Sequence, residues 1–259
     1  MASRPSDFER PSLKRSLGLP MIILYGVGTI VGGGFYALMG KVAGQAGMLA
    51  PFAFLVAGAV ALLSAFSFAE LSSRFPVSAG ESHYAAQAFG KDWISAMVGW
   101  MVITTGIVSA ATMADAFAVF LQLFLPMPTW IIIFGLVLSL GFVTAWGINQ
   151  SAALALIVTI LELGGLGLVV AFSVDSLGSV HERWRELLPG PVLQDWTGIL
   201  LGAYIAFYSF VGFEDMVNVA EEVKNPRRNM PIAIMTAVLL TSVIYVLVSL
   251  TAVLSTTPD

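Results

Sequence analysis

Seven apolar runs, at 17–39, 48–69, 93–125, 130–146, 151–174, 197–220 and 231–254, fix the medium in which this chain folds. A helix needs about 20 apolar residues to cross roughly 30 Å of hydrocarbon, and each run is close to or above that length. None of the runs alternates polar and apolar residues at period two, as a barrel strand must, so the spans read as helices. Only 11% of the residues are charged and mean hydropathy is +0.88, whereas a soluble domain carries about a quarter charged residues. The fold class that follows is an all-α integral membrane protein with about seven transmembrane helices. The first run lacks a small-residue cleavage site and is followed at once by a second span, so it is expected to remain in the mature protein.

Composition also removes whole classes of function. The net charge is -4, and no basic patch with interleaved aromatics appears, so nucleic acid is not an expected partner. With no cysteine, and with His83 and His181 isolated, the chain offers no thiolate and no metal-ligand spacing. No metal, cofactor or enzymatic reaction is expected. Placing the N-terminus in the cytoplasm puts nine basic residues inside and leaves only Lys41, Arg183 and Arg185 outside. That orientation, in a plasma (inner) membrane, argues against a receptor or retinal protein of the rhodopsin type. The last span also contains no lysine for a retinal Schiff base.

The first span then poses a conflict. Its stretch GVGTIVGGGFYALMG, residues 26–40, carries Gly26, Gly28, Gly32, Gly33, Gly34 and Gly40, and each glycine costs about 1 kcal/mol of helix propensity relative to alanine. Close packing of helices is one reading, since Gly28 and Gly32 have the spacing of small residues at an interface. A broken helix is the other, with amides and carbonyls freed for a ligand or a wet cavity. A second interrupted span favours the break. Residues 202–234, GAYIAFYSFVGFEDMVNVAEEVKNPRRNMPIAI, gather aromatics around Gly212 and then place Glu214 and Asp215 inside an apolar segment, where a carboxylate needs a cavity or a partner. Interrupted spans in the first and sixth positions are what an inverted-repeat transporter requires.

The segments GVGTIVGGGFY, FAELSSRFPVSAGESHYAAQAFG and FYSFVGFEDMVNVAEEVKNPRRNMPIAI resemble the hallmark stretches of the amino acid–polyamine–organocation transporter superfamily. The resemblance covers nearly the whole chain in order, including a proline- and glycine-rich cytoplasmic loop at 75–90. It implies a secondary permease, antiporter or symporter, that moves an amino acid or related amine by alternating access. Substrate binding would fall on Ile30, Gly32, Gly33, Gly34, Tyr208, Val211 and Gly212, with the amides of Gly33 and Gly34 facing a carboxylate. A helix N-terminus carries free donors and about half a positive charge, which suits that anion. Freed carbonyls of Ile30, Tyr208 and Val211 would face the ammonium group. Tyr208 and Glu214 match gating residues of relatives, and the serine that relatives often carry is Gly33 here.

Glu162 departs from the resemblance. Many relatives carry lysine at this point of the fifth span, so a glutamate there reads as a coupling residue, titrated by protons and within reach of the inner half of the first span, with help in binding a cation and a structural acid held by the broken helices as the other readings. The implied organisation is a cytoplasmic tail at 1–16, a first repeat at 17–174, an extracytoplasmic loop at 175–196 and the start of a second repeat at 197–259. Because the superfamily has about twelve spans, the chain reads as an N-terminal portion, truncated after its seventh span. The alternative reading is a non-transporting membrane subunit or sensor that keeps the permease fold.

Overall fold

The computed structural model describes residues 15–78, 80–146 and 148–255, with the side chains of the last stretch described from Leu154 onward. The expected tail at 1–16 lies outside these residues apart from Arg15 and Ser16. Ten α-helices follow in order among the described residues: α1 (Leu19–Ala46), α2 (Ala50–Arg74), α3 (Gly80–Phe89), α4 (Asp92–Gln122), α5 (Thr129–Trp146), α6 (Ile148–Phe172), α7 (Val174–Gly178), α8 (Val180–Arg183), α9 (Leu193–Phe207) and α10 (Pro226–Ser255). Two 3-10 segments, Tyr208–Phe210 and Glu214–Glu222, continue α9. Among the described residues, six continuous helical stretches are long and apolar enough to cross a membrane, and the first, Leu19–Arg74, is 56 residues long. That is more than twice a single crossing. It doubles back at the 3-10 turn Gly47–Leu49, where Gly47 takes φ +56, so that Phe35 of α1 and Phe54 of α2 meet with ring centroids 5.1 Å apart.

The expected spans sit where the apolar runs do, with ends displaced outward by exposed charge. Thus α1 runs past Lys41 to Ala46, and α10 begins at Pro226, ahead of the apolar run, with Arg227 and Arg228 exposed. Proline suits a first helical position because its missing N–H has no partner there, and Asn225 before it turns the chain at φ +49. The segment 75–90 departs from the expected loop. After Gly80, at φ +48, the residues 80–89 form α3, and Tyr84 is buried. At 10 residues, and about 1.5 Å per residue, α3 is too short to cross a bilayer. The sixth span also departs from a plain helix, since the half beyond Gly212 is a 3-10 segment of nine residues.

Two kinds of helix surface result. The core lies where α1, α2, α9 and α10 interlock through small residues. Gly26 faces Ala237 and the Met216 thioether, Gly58 faces Ser242, and Gly202 faces Ala46 and Ala53. An aromatic cluster of Phe35, Phe54, Phe210 and Tyr245 fills the centre, with Phe35 and Tyr245 stacked at 4.4 Å. By contrast, the buried hydrophobic residues described on α4, α5 and α6 are only Ala114, Ala118, Ile132 and Leu166. Helices apolar around their whole circumference, yet exposed, suit a lipid surrounding rather than water.

The start of α1 and the end of the sixth span are also joined outside the helices. The Leu17 amide donates to the Glu222 carbonyl at 3.0 Å and the Lys224 amide donates to the Leu17 carbonyl at 2.9 Å. This parallel bridge between Leu17 and Val223 is the isolated β-pairing among the described residues.

The packing makes a stability prediction. A Cβ at Gly202 would stand 3.1 Å from Ala53 and 3.2 Å from Ala46, whereas one at Gly135 on α5 would meet nothing within 4 Å. Gly202→Val is therefore expected to destabilise the bundle by about 1–3 kcal/mol and to lower the unfolding temperature in detergent. Gly135→Val should leave that temperature unchanged or higher.

Candidate functional site

The glycines of the first span divide into distinct roles. Gly28 is a packing residue: a Cβ there would run into the Thr159 side chain of α6. Gly32 is not, because a Cβ there would meet nothing within 4 Å. Its backbone, at φ -3 and ψ -172, is non-helical and interrupts α1 in mid-span. Gly34 has a third role. A Cβ there would lie 3.3 Å from the Ser209 Cα, so its backbone lies close against the second interrupted segment.

That second interruption begins where α9 tightens into the 3-10 turn Tyr208–Phe210. Val211 is then extended at ψ 131, and Gly212 takes φ +130 before the second 3-10 segment starts. Only glycine adopts that conformation without strain. Space demands it as well, since a Cβ at Gly212 would collide with the Thr29 carbonyl and lie 3.3 Å from the Ile30 Cα. The two interruptions therefore face each other, backbone against backbone.

Peptide groups freed by the interruptions acquire specific partners. The Glu214 carboxylate accepts a hydrogen bond from the Gly212 amide at 2.8 Å, which caps the break from within its own strand of chain. On the other side, the buried Tyr245 hydroxyl of α10 donates toward the Ile30 and Ser209 carbonyls, each at 2.9 Å, with the Val31 carbonyl at 3.3 Å. The Ile30 carbonyl, which the resemblance assigns to an ammonium group, thus already has a protein donor. Tyr208 reaches the opposite wall, where its hydroxyl donates to Ser109 of α4 at 3.1 Å.

Between the interruptions lies a cavity of about 520 Å³. All seven expected substrate-binding residues line it, as does the expected gating acid Glu214. Asp215, which the sequence marked as a carboxylate in need of a cavity or a partner, lines it too, and sequence reasoning missed Ser109, Ser209 and Glu81, which also line it. Glu81 comes from α3, and burial, ahead of the nearby Asp215 carboxylate, pushes its carboxyl above the usual carboxylate range. Burial likewise raises the neighbouring Tyr84 phenol to about 12.

Glu162 stands apart from this cavity. It lines a second one of about 590 Å³, shared with Tyr36, Gly33, Met113 and apolar residues of α4 and α5. Only Gly33 and Met113 line both. Thr159 of α6 packs at Gly28, while the Tyr36 hydroxyl donates to the Glu162 carbonyl at 2.7 Å. Glu162 is therefore level with the interruption and shares its cavity with the half of α1 that follows it, rather than with the preceding half that the sequence suggested. Asp115, the other acid of the middle spans, is exposed on α4.

Comparison with known proteins extends the resemblance. The family model described as amino acid permease matches residues 21–259. The chain is 30% identical over 271 residues to the cationic amino acid transporter 3, mitochondrial, of Arabidopsis thaliana, covering 93% of this chain and 42% of that protein. It is 26% identical to the methylthioribose transporter of Bacillus subtilis (strain 168), covering 92% of this chain and 55% of the relative. It is likewise 26% identical to the branched-chain amino acid permease BcaP of the same organism, covering 92% and 54%. The chain spans about half the length of the curated relatives it matches. Its apolar helices, its two facing interruptions and this match over nearly its whole length make it a multi-pass membrane protein of the amino acid permease family, within the amino acid–polyamine–organocation superfamily.

Proposed function

We propose that the cavity between the two interruptions binds the α-amino and α-carboxylate groups of an amino acid or related amine, and that the chain belongs to a secondary carrier working by alternating access. The observation that carries this reading is the opposition, across one cavity, of the half of α1 that resumes after Gly32 to the 3-10 turn and extended Val211 of the second interruption. The half of α1 that begins at Gly33 presents helix N-terminal amides, which favour an anion. The Val211 carbonyl would face an ammonium group together with the Tyr208 carbonyl, which also accepts from the Val211 amide at 3.2 Å, and the Ile30 carbonyl bonded by Tyr245. Tyr208 would close over the substrate from the α4 side, and Glu214 would serve as an inner-gate acid beside the Gly212 turn.

In this reading residues 17–174 form a first repeat, 175–196 a connecting segment outside the cytoplasm, and 197–259 the start of a second, inverted repeat. The N-terminus is cytoplasmic and the membrane is the plasma (inner) membrane. Uptake of radiolabelled L-leucine and L-arginine by proteoliposomes carrying the chain tests the reading. Binding without movement of either amino acid would favour a sensor or non-transporting subunit instead.

The cavity geometry separates the two cradle glycines. A Cβ at Gly33 meets only the flexible Met113 thioether, at 3.1 Å, whereas one at Gly34 meets the backbone of Ser209. Gly33→Ala should therefore keep substrate binding within about threefold, and Gly34→Val should abolish it. Equal binding by wild type and Gly34→Val in a radioligand assay would place the carboxylate cradle elsewhere.

We also propose Glu162 as the proton-coupling residue. Its cavity adjoins the first across Gly33 and Met113, so loss of its charge can alter how the interrupted helix seats on α4 and α6. Glu162→Gln mimics the protonated form. Substrate exchange should survive this change, while accumulation driven by an inward proton gradient should lose its pH dependence. Unchanged pH dependence, or a sodium requirement throughout, would return Glu162 to a structural role.

A further inference from the structure

We infer that Tyr245 is a positioning residue of the site: its hydroxyl keys the two interruptions to each other and sets the separation of the two walls of the cavity. This rests on the proposed binding role of that cavity for its functional meaning, but its geometric content stands alone. Tyr245 belongs to neither interrupted segment and does not line the cavity. It comes from α10, is fully buried, and is gripped by a ring from each side. Phe35 of the resumed α1 stacks on it at 4.4 Å, and Phe210 of the second interruption meets it edge-on at 5.1 Å.

The phenol therefore has little freedom to swing, and its oxygen stands 2.9 Å from a carbonyl of each interruption. A phenolic hydroxyl has one proton. Two carbonyls at equal distance, and a third at 3.3 Å, must share it. Each interruption is thereby held to the other through one atom, and neither can move away without leaving a buried hydroxyl or carbonyl less well paired. The consequence for recognition is specific. Tyr245 holds the Ile30 carbonyl on one side and the Ser209 carbonyl, next in the chain to Tyr208, on the other, so it fixes how far the Ile30 carbonyl stands from the Tyr208 and Val211 carbonyls opposite. An amino acid's ammonium group would meet an acceptor set already spaced for it.

Amide hydrogen exchange of the purified full chain tests this without a substrate. Tyr245→Phe keeps the ring stack and removes the proton. Exchange in the segments 31–36 and 208–213 should rise together, by about tenfold, as expected for one lost buried hydrogen bond. Thr251→Val removes a buried hydroxyl bonded at 2.8 Å to the Val248 carbonyl, on the same helix but remote from the interruptions, and should change neither segment. Replacement of Tyr245 by p-aminophenylalanine carries the test even where Tyr245→Phe fails to fold. The amine offers two protons, one for each carbonyl, so exchange in both segments should fall below that of wild type. A change confined to one segment, or no slowing with the amine, overturns the keying role. Binding of L-leucine and L-arginine is measured in parallel, with about tenfold weaker binding expected for Tyr245→Phe. Wild-type protein that binds neither amino acid would sink the proposed function, while the exchange data would still decide the role of Tyr245.

Discussion

A peptide group that leaves a helix at membrane depth has no water to turn to, and that constraint organises this structure. Within hydrocarbon each unpaired N–H or C=O costs several kcal/mol, so irregular backbone survives only where protein or a wet cavity satisfies it. Two interruptions therefore need a shared solution. Part of it is internal: the Glu214 carboxylate takes the Gly212 amide, and Tyr245 serves carbonyls of both interruptions. Beside them lies the cavity, which Gly32, Gly33, Gly34, Tyr208, Ser209, Val211 and Gly212 line. The interruptions lie against each other because glycine at 34 and 212 allows their backbones to touch.

The same constraint accounts for the uneven packing of the helices. The interrupted segments belong to the tightly interlocked group of α1, α2, α9 and α10, where Gly26, Gly58 and Gly202 bring helix axes close. Without a strong hydrophobic drive between helices in lipid, such close approach is the main source of association. Helices α4 to α6 make a looser wall. They contribute hydroxyls and carboxylates to the cavities, as Ser109 and Glu162 do, while most of their apolar surface faces outward. A firm bundle around the interruptions thus faces a wall that shares little buried apolar surface with it.

Much of this was legible in the sequence, and the failures have physical causes. Apolar runs located the long apolar helices of the described residues because lipid allows so few alternatives. The spacing of Gly28 and Gly32 suggested one packing face, yet only the three-dimensional contacts separate them: Gly28 meets Thr159 and Gly32 meets nothing. Residues 75–90 read as a loop because Pro76, Gly80 and Gly90 punctuate them, and a helix of 10 residues leaves too short a periodic signal to outweigh that. Tyr245 passed as one more large residue in an apolar run. The signal that could have found it is the stripe Thr241, Tyr245 and Ser249, polar groups four residues apart and all fully buried, on one face of an otherwise apolar helix. Glu162 was found by type but not by register, since the level at which α6 passes α1 is set by Gly28 and Tyr36 on the other helix.

A cradle made of backbone has a further consequence for recognition. Amides at Gly33 and Gly34 and carbonyls at Tyr208 and Val211 can address only the groups that every α-amino acid carries, so on the proposed reading they select a class of molecule and not a member of it. Discrimination among members must come from the rest of the lining, where Val98, Met101 and Val102 of α4 offer apolar surface and Glu81 and Asp215 offer charge. These residues belong to elements outside the two interruptions or beyond the Gly212 turn. Substitution there can alter the preferred side chain while the backbone cradle, its glycines and its Tyr245 key stay as they are. The division separates what must be kept for any substrate to bind from what can vary with the substrate chosen.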